Sequence, residues 1–233
     1  ILVVLLLTTV GLPGSANRLH AETLCVSKDL IQPCYREIQT AINAADSGDT
    51  VLVKGDDEDY NENLTIDGKD IVLMSEKGLG AVRVMAAIGS QPTLMIENSD
   101  AEIIGMVFIN NDVYAGVGIE AKTTSSTLSL NTPKIRNCVI RGGYIGFYAN
   151  PSMAEIDNCR ICDNSLKGLR ASNGSSPTLS NSWIYRGNPP YSKSLEGTLA
   201  DTAYADLSFD GESDIIDGGG NTVGNSSSSY LST

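Results

Sequence analysis

Cys159-Arg160-Ile161-Cys162 has the two-residue cysteine spacing of redox and zinc motifs. Either chemistry needs both sulfurs to converge on one point. The flanking residues read as a short strand, and on a strand positions three apart point to opposite faces. That reading puts Cys159 inside and leaves Cys162 exposed as the odd cysteine. No second pair of this kind and only one histidine, His20, exist to complete a zinc site. Two structural cysteines are therefore expected, and no metal. Cys25 and Cys34 are read as a disulfide closing a short N-terminal loop. The acidic run Asp56-Asp57-Glu58-Asp59 holds hard carboxylates that suit calcium. It lacks the ordered spacing of a calcium loop, so a solvated turn and no cofactor are expected. With one histidine, general acid–base work would fall to carboxylates, Lys, Tyr or Arg. None stands out, so catalytic residues stay unassigned. The residues that recur in a pattern are Glu120, Tyr148 and Arg170, then Arg160, Trp183 and Tyr185.

The elements that must hold these residues are repeats. Ile135-x-Asn137-Cys138-x-Ile140 returns as Ile156-x-Asn158-Cys159-x-Ile161, and again as Leu179-x-Asn181-Ser182-x-Ile184. Ile103, Gly105, Met106 and Phe108 occupy the corresponding places upstream. A second motif, Gly-apolar-x-Ala, travels in phase with the first at Gly118, Gly146 and Gly168. Two motifs recurring together every 20–30 residues mark a solenoid. The segments between them are short, alternating and β-rich, such as Thr50-Val51-Leu52-Val53, and Asn, Gly, Ser and Asp separate them. The expected structure is an all-β coil of parallel strands, each turn stacked ~4.8 Å above the last. Ile135, Ile156 and Leu179 then form one internal stack, and Ile140, Ile161 and Ile184 another. Cys138, Cys159 and Ser182 form a column of small residues. Asn137, Asn158 and Asn181 take the left-handed bend and bond one to the next as an amide ladder. Glu120, Tyr148 and Arg170 face outward, one per coil. Arg160 and Trp183 do so on the strand after the bend, followed by Tyr185.

The rest of the chain frames this solenoid. Ile38, Ala41, Ile42 and Ala45 share one helical face and predict a short capping helix over the first coil. Residues 1–21 read as a secretory signal peptide. Their apolar run is too short for a bilayer core of about 30 Å, and cleavage falls after Ala16 or Ala21. Residues 22–233 form one β-helix domain, irregular over 187–213. The net charge of −12 disfavours nucleic acid, because phosphate contacts need a basic surface. No membrane span is expected in the mature chain.

The order of helix, Ser47-Gly48-Asp49-Thr50-Val51-Leu52-Val53-Lys54-Gly55, the segment Tyr60–Gly78 and the Asn-Cys-x-Ile coils resembles the exported bacterial right-handed parallel β-helix proteins of the pectate-lyase-like superfamily. One departure is that Gly55–Tyr60 replaces the family's usual Pro-Gly-Thr-Tyr turn. The resemblance implies a right-handed helix, export to the periplasm, the medium or the cell surface, and a cleft along an outer face. It does not imply one activity, because the fold hosts lyases, hydrolases and inert stalks. The Asn-Thr-Asp, Asp-Asp, Gly-His-Gly and Arg-Ile-Lys set of the galacturonases is missing. So are the Trp-Ile-Asp-His and Arg-x-Pro-x-x-Arg motifs of the pectate lyases. The expected function is structural or carbohydrate-binding, with a surface glycan as partner. Tyr and Trp faces flanked by Arg suit an acidic sugar. A polysaccharide lyase or glycosidase of divergent motif is the alternative.

Overall fold

A computed structural model describes residues 20–29, 33–55, 59–125, 129–185, 192–194, 207–209 and 213–224. Nearly all of the signal-peptide reading, and Asp56–Glu58, lie outside these residues. The chain winds as a three-sided parallel β-helix. Each coil places one strand in sheet A, one in sheet B and one in sheet C. One full coil runs Lys134–Arg136, Val139–Arg141 and Ile145–Ala149. The next runs Glu155–Asp157, Arg160–Cys162 and Lys167–Ala171. Among the described residues, sheets A and B have eight strands each and sheet C six.

The repeats lie in register as their spacing requires. Ile135 pairs with Ile156 and Ile156 with Leu179. Ile140 pairs with Ile161 and Ile161 with Ile184. All six are buried in one apolar column. Between sheets A and B the chain turns through a single left-handed residue: Asn137 (φ 53°), Asn158 (φ 50°) and Asn181 (φ 48°). Gly105 does the same one coil earlier (φ 73°). Asparagine tolerates this conformation because its short amide bonds locally. Cys138, Cys159 and Ser182 follow as a buried column, and the Ser182 hydroxyl accepts the Cys159 N–H at 3.0 Å. The Cys138 thiol donates to the Arg136 carbonyl at 3.2 Å and the Cys159 thiol to the Ile135 carbonyl at 3.3 Å. The adjoining Cys138 thiol, and then burial, push the Cys159 thiol well above its ordinary pKa.

The amide ladder is only half as expected. Asn158 donates to Asn137 at 2.6 Å, but Asn181 donates to the Asp157 carboxylate at 2.8 Å instead. An ionised oxygen is the stronger acceptor, and Ser180 bonds the same oxygen at 2.7 Å. Ser180, then Asn181, with Arg136 nearby, hold the Asp157 carboxyl below the usual range.

The Gly-apolar-x-Ala glycines are steric. A Cβ on Gly118 would strike the Ile140 side chain, and one on Gly146 would strike Ile161. Each glycine makes room for the isoleucine of the next coil's Asn-Cys-x-Ile motif. The two motifs recur in phase because they interlock.

The first coil is closed by the helix Ile38–Ala44, which buries Ile38, Ala41 and Ile42. Its own Glu37 makes no side-chain cap. Instead Glu62 accepts the N–H groups of Ile38 and Gln39 at 3.0 and 2.8 Å. Lys69 donates to the carbonyls of Ile42, Asn43 and Ala45 at 2.8–3.1 Å. Both contacts complement the helix dipole. Gln39 bonds both the N–H and the C=O of Thr65, acting as an extra rung on the edge strand of sheet C. A bare edge would invite other chains. Cys25 and Cys34 form the expected disulfide.

Of the stretch 187–213, the described residues are two short strands and Ser213. Leu207–Phe209 continues sheet C in parallel with Lys167–Ala171, and Ser192–Ser194 pairs antiparallel with Thr222–Gly224. Among the described residues, no helix is long and apolar enough to cross a membrane.

Candidate functional site

The six residues singled out in the sequence fall on two neighbouring faces. Glu120, Tyr148 and Arg170 share one outward ladder on sheet C: Glu120 pairs with Tyr148, and Tyr148 with Arg170. The ladder extends to Met95 on one side and Ser208 on the other. Arg160 and Trp183 are paired on sheet B, and Tyr185 pairs with Cys162 there. The Tyr185 side chain lies outside the described residues. Corner loops 110–116, 142–144 and 163–166 separate the two faces.

On the sheet C ladder the side-chain contacts are defined. The Arg170 guanidinium lies over the Tyr148 ring, 5.2 Å from its centroid. The Tyr148 phenol accepts the Ser172 hydroxyl at 2.8 Å. Ring and guanidinium therefore hold each other in place on the outer face. This cation–π contact leaves the N–H edge of the guanidinium available to an anion. Glu120, half-buried one rung upstream of Tyr148, adds an acceptor for hydroxyl groups. The adjoining column holds Glu97 and Lys122 as an ion pair at 3.2 Å. Thr124 donates to the same Glu97 at 2.8 Å. Ser172, Glu97 and Lys122 were not picked out from the sequence. Ser172 was detectable, because it directly follows the Gly-apolar-x-Ala motif.

Cys162 overturns an expectation. Alternation puts it on the outer side of its strand, yet only 2 % of its surface is exposed. Val107 and Ile109, outward on the same sheet, are also buried, at 7 and 5 %. Cys162 is short and pairs in register with Arg141. A short side chain beside a long one on a flat sheet loses its access to water. Among the described residues, no group of three or more His, Cys, Asp or Glu is placed to hold a metal. Asp59, at the end of the acidic run, pairs with Arg83 at 2.9 Å.

Charge is distributed unevenly along the solenoid. The whole chain carries 28 Asp and Glu against 16 Lys and Arg. Residues 134–185, which contain five of the six site residues, reverse this with six Lys and Arg against three Asp and Glu.

The family model described as "Right handed beta helix region" matches residues 92–231. The chain belongs to this right-handed β-helix family. Two crystal structures of the pectin methylesterase from Aspergillus niger are similar in fold. The penultimately deglycosylated form has a TM-score of 0.56 at 15% identity, over 85% of this chain and 68% of that one. The deglycosylated form has a TM-score of 0.56 at 13% identity, over 85% and 75%. The pectin methylesterase from Erwinia chrysanthemi aligns with a TM-score of 0.46 at 15% identity, over 89% and 86%. No curated protein sequence matches the chain.

Proposed function

We propose that this β-helix protein binds an acidic polysaccharide along the outer face of sheet C. In this reading it is exported, and its role at the cell surface is binding or structural rather than catalytic. The observation that carries the proposal is the Arg170 guanidinium fixed over Tyr148 at 5.2 Å, with Ser172 holding the phenol. A planar cation held on an open sheet face fits a carboxylate, and the flanking ring offers an apolar surface to a sugar. The local excess of basic residues supports an anionic ligand on a chain that is acidic overall. Export is supported by the leader-like run at 1–21 and by the Cys25–Cys34 disulfide, a bond that persists in oxidising compartments.

The test is calorimetric titration with polygalacturonate and with a neutral glucan. Binding of the polyuronate alone is expected, with Arg170→Ala weakening it by about tenfold or more. Equal binding of both polymers, or no binding, would remove the proposal. The same mixtures, with and without calcium, are followed by ultraviolet absorbance. Unsaturated product that disappears in Arg170→Ala would make the protein a lyase instead.

A further inference from the structure

The outer face of sheet B differs in kind from the other two. The outward positions of its strands from Val82–Met85 to Trp183–Tyr185 include Arg83, Met85, Val107, Ile109, Val139, Arg141, Arg160, Cys162 and Trp183. Three are arginines and none is acidic. Sheet A mixes Lys134 and Arg136 with Glu102, Glu155 and Asp157 outward, and sheet C mixes Lys122 and Arg170 with Asp67, Glu97 and Glu120. Acids flank the strand ends of sheet B rather than its face: Asp59, which pairs with Arg83, Glu62 after Asn61, and Asp163 after Cys162.

Register defines the arrangement of the remaining two arginines. Arg160 pairs with Val139, and Arg141 with Cys162. Arg141 and Arg160 are thus diagonal neighbours on adjacent strands, about 7–8 Å apart at the backbone. Trp183 is one rung beyond Arg160 and is 52% exposed. Val107, Ile109 and Cys162 on this face are themselves buried, whereas Arg141, Arg160 and Trp183 stand exposed.

We infer that sheet B carries a second binding face, separate from sheet C, for a linear acidic polysaccharide running along the solenoid axis. Arg141 and Arg160 take the carboxylates of nearby sugar units, and a sugar ring stacks on Trp183. Charge complementarity selects this occupant: the face is the one basic side of an acidic prism, and an indole beside guanidinium suits a ring bearing a carboxylate. The inference shares the acidic-sugar chemistry proposed for sheet C but uses none of its residues.

Trp183 is the only tryptophan in the chain, so its fluorescence reports on this face alone. Polygalacturonate is titrated into the wild-type protein, Arg170→Ala, and the Arg141→Gln/Arg160→Gln double variant. Tryptophan emission and calorimetric heat are both recorded. A saturable emission change is expected in the wild type and, undiminished, in Arg170→Ala. In the double variant the change should need about tenfold more ligand. The single variants keep the test open if the double variant loses its β circular dichroism. Calorimetric binding with no change in emission would overturn the sheet B face and leave the sheet C proposal standing. An emission change with no effect of Arg170→Ala on the heat would do the reverse. Oligothymidylate producing the same change at equal or lower concentration would overturn the acidic sugar as occupant.

Discussion

Gly146→Ala tests the interlock that sets the coil spacing. At a strand position free of contacts, this change would be neutral or would stabilise by about 0.4–1 kcal/mol through the unfolded chain. Here the new methyl meets three groups. It would lie 2.6 Å from the Gly168 carbonyl oxygen, 2.6 Å from Asn164 Nδ2, and closer still to Ile161 Cγ2. The carbonyl belongs to the neighbouring strand and cannot retreat without breaking the ladder. Asn164 is buried, and its Oδ1 accepts the Gly143 N–H at 3.2 Å. Ile161 is fully buried. Overpacking costs about 1–3 kcal/mol, and two immovable neighbours place this case near about 3 kcal/mol. For a chain of this size that lowers the melting temperature by about 6–12 °C. Guanidinium denaturation followed by circular dichroism gives the free energy directly, provided the m-value is unchanged. The decisive control is Ile161→Ala, which removes Cγ2 and by itself costs about 2–5 kcal/mol. In that background Gly146→Ala should cost at least about 1 kcal/mol less, the coupling expected of residues in contact. Additive costs, or a stabilising Gly146→Ala, would refute the interlock.

Three further outcomes follow from named contacts. Lys69→Met removes the cation that bonds three carbonyls at the end of the capping helix; destabilisation by about 1–2 kcal/mol is expected, with faster amide exchange in Ile38–Ala44 than in the central coils. Glu62→Gln should have a smaller effect of the same sign, because the amide keeps one acceptor for the Ile38 or Gln39 N–H. Asp157, held below its ordinary pKa by Ser180 and Asn181, contributes stability that is present above the unfolded-state pKa of about 3.9. That stability is lost as pH falls through the lower folded value, so an acid titration of stability should be flatter in Asp157→Asn than in the wild type.

What the sequence discloses depends on whether like sits on like. Ile135, Ile156 and Leu179 can be read as a stack because one physical rule, an inward apolar position repeated at each coil, writes the same residue type at each period. Asn137, Asn158 and Asn181 are legible for the same reason, since a left-handed bend recurs at one place. The Gly-apolar-x-Ala motif is visible but not explained by sequence. Its cause lies in the neighbouring coil, 22 residues on for Gly118 and Ile140, and no local pattern states that contact. Glu62 and Lys69 bracket the helix from 18 or more residues away and look like ordinary surface charges in the sequence. Strand alternation places Cys162 on the outer side but reports direction, not exposure. Its burial depends on what stands beside it, and Arg141 stands beside it only once the coils are stacked. The candidate site split for a related reason. Alternation identifies outward residues on each strand, but the angle between strands is set by corner loops whose geometry has no periodic signature.

The same logic explains why the two candidate faces occupy the same coils. In a solenoid each coil contacts only its neighbours, so core positions are constrained coil by coil while outward positions vary independently. Nothing in the packing of Ile140 or Ile161 requires Arg141 or Arg160 outside them. Yet residues 134–185 hold six Lys and Arg against three Asp and Glu, on sheet A as Lys134 and Arg136, on sheet B as Arg141 and Arg160, and on sheet C as Lys167 and Arg170. Gathering positive charge there costs mutual repulsion, which the acidic ends of the molecule offset only weakly across several coils in physiological salt. The stacking of Arg170 on Tyr148 and the placing of Trp183 beside Arg160 put an aromatic surface next to a guanidinium on both faces. Two faces that share this pairing, on sheets whose packing does not demand it, are what the proposed acidic ligand would require of both.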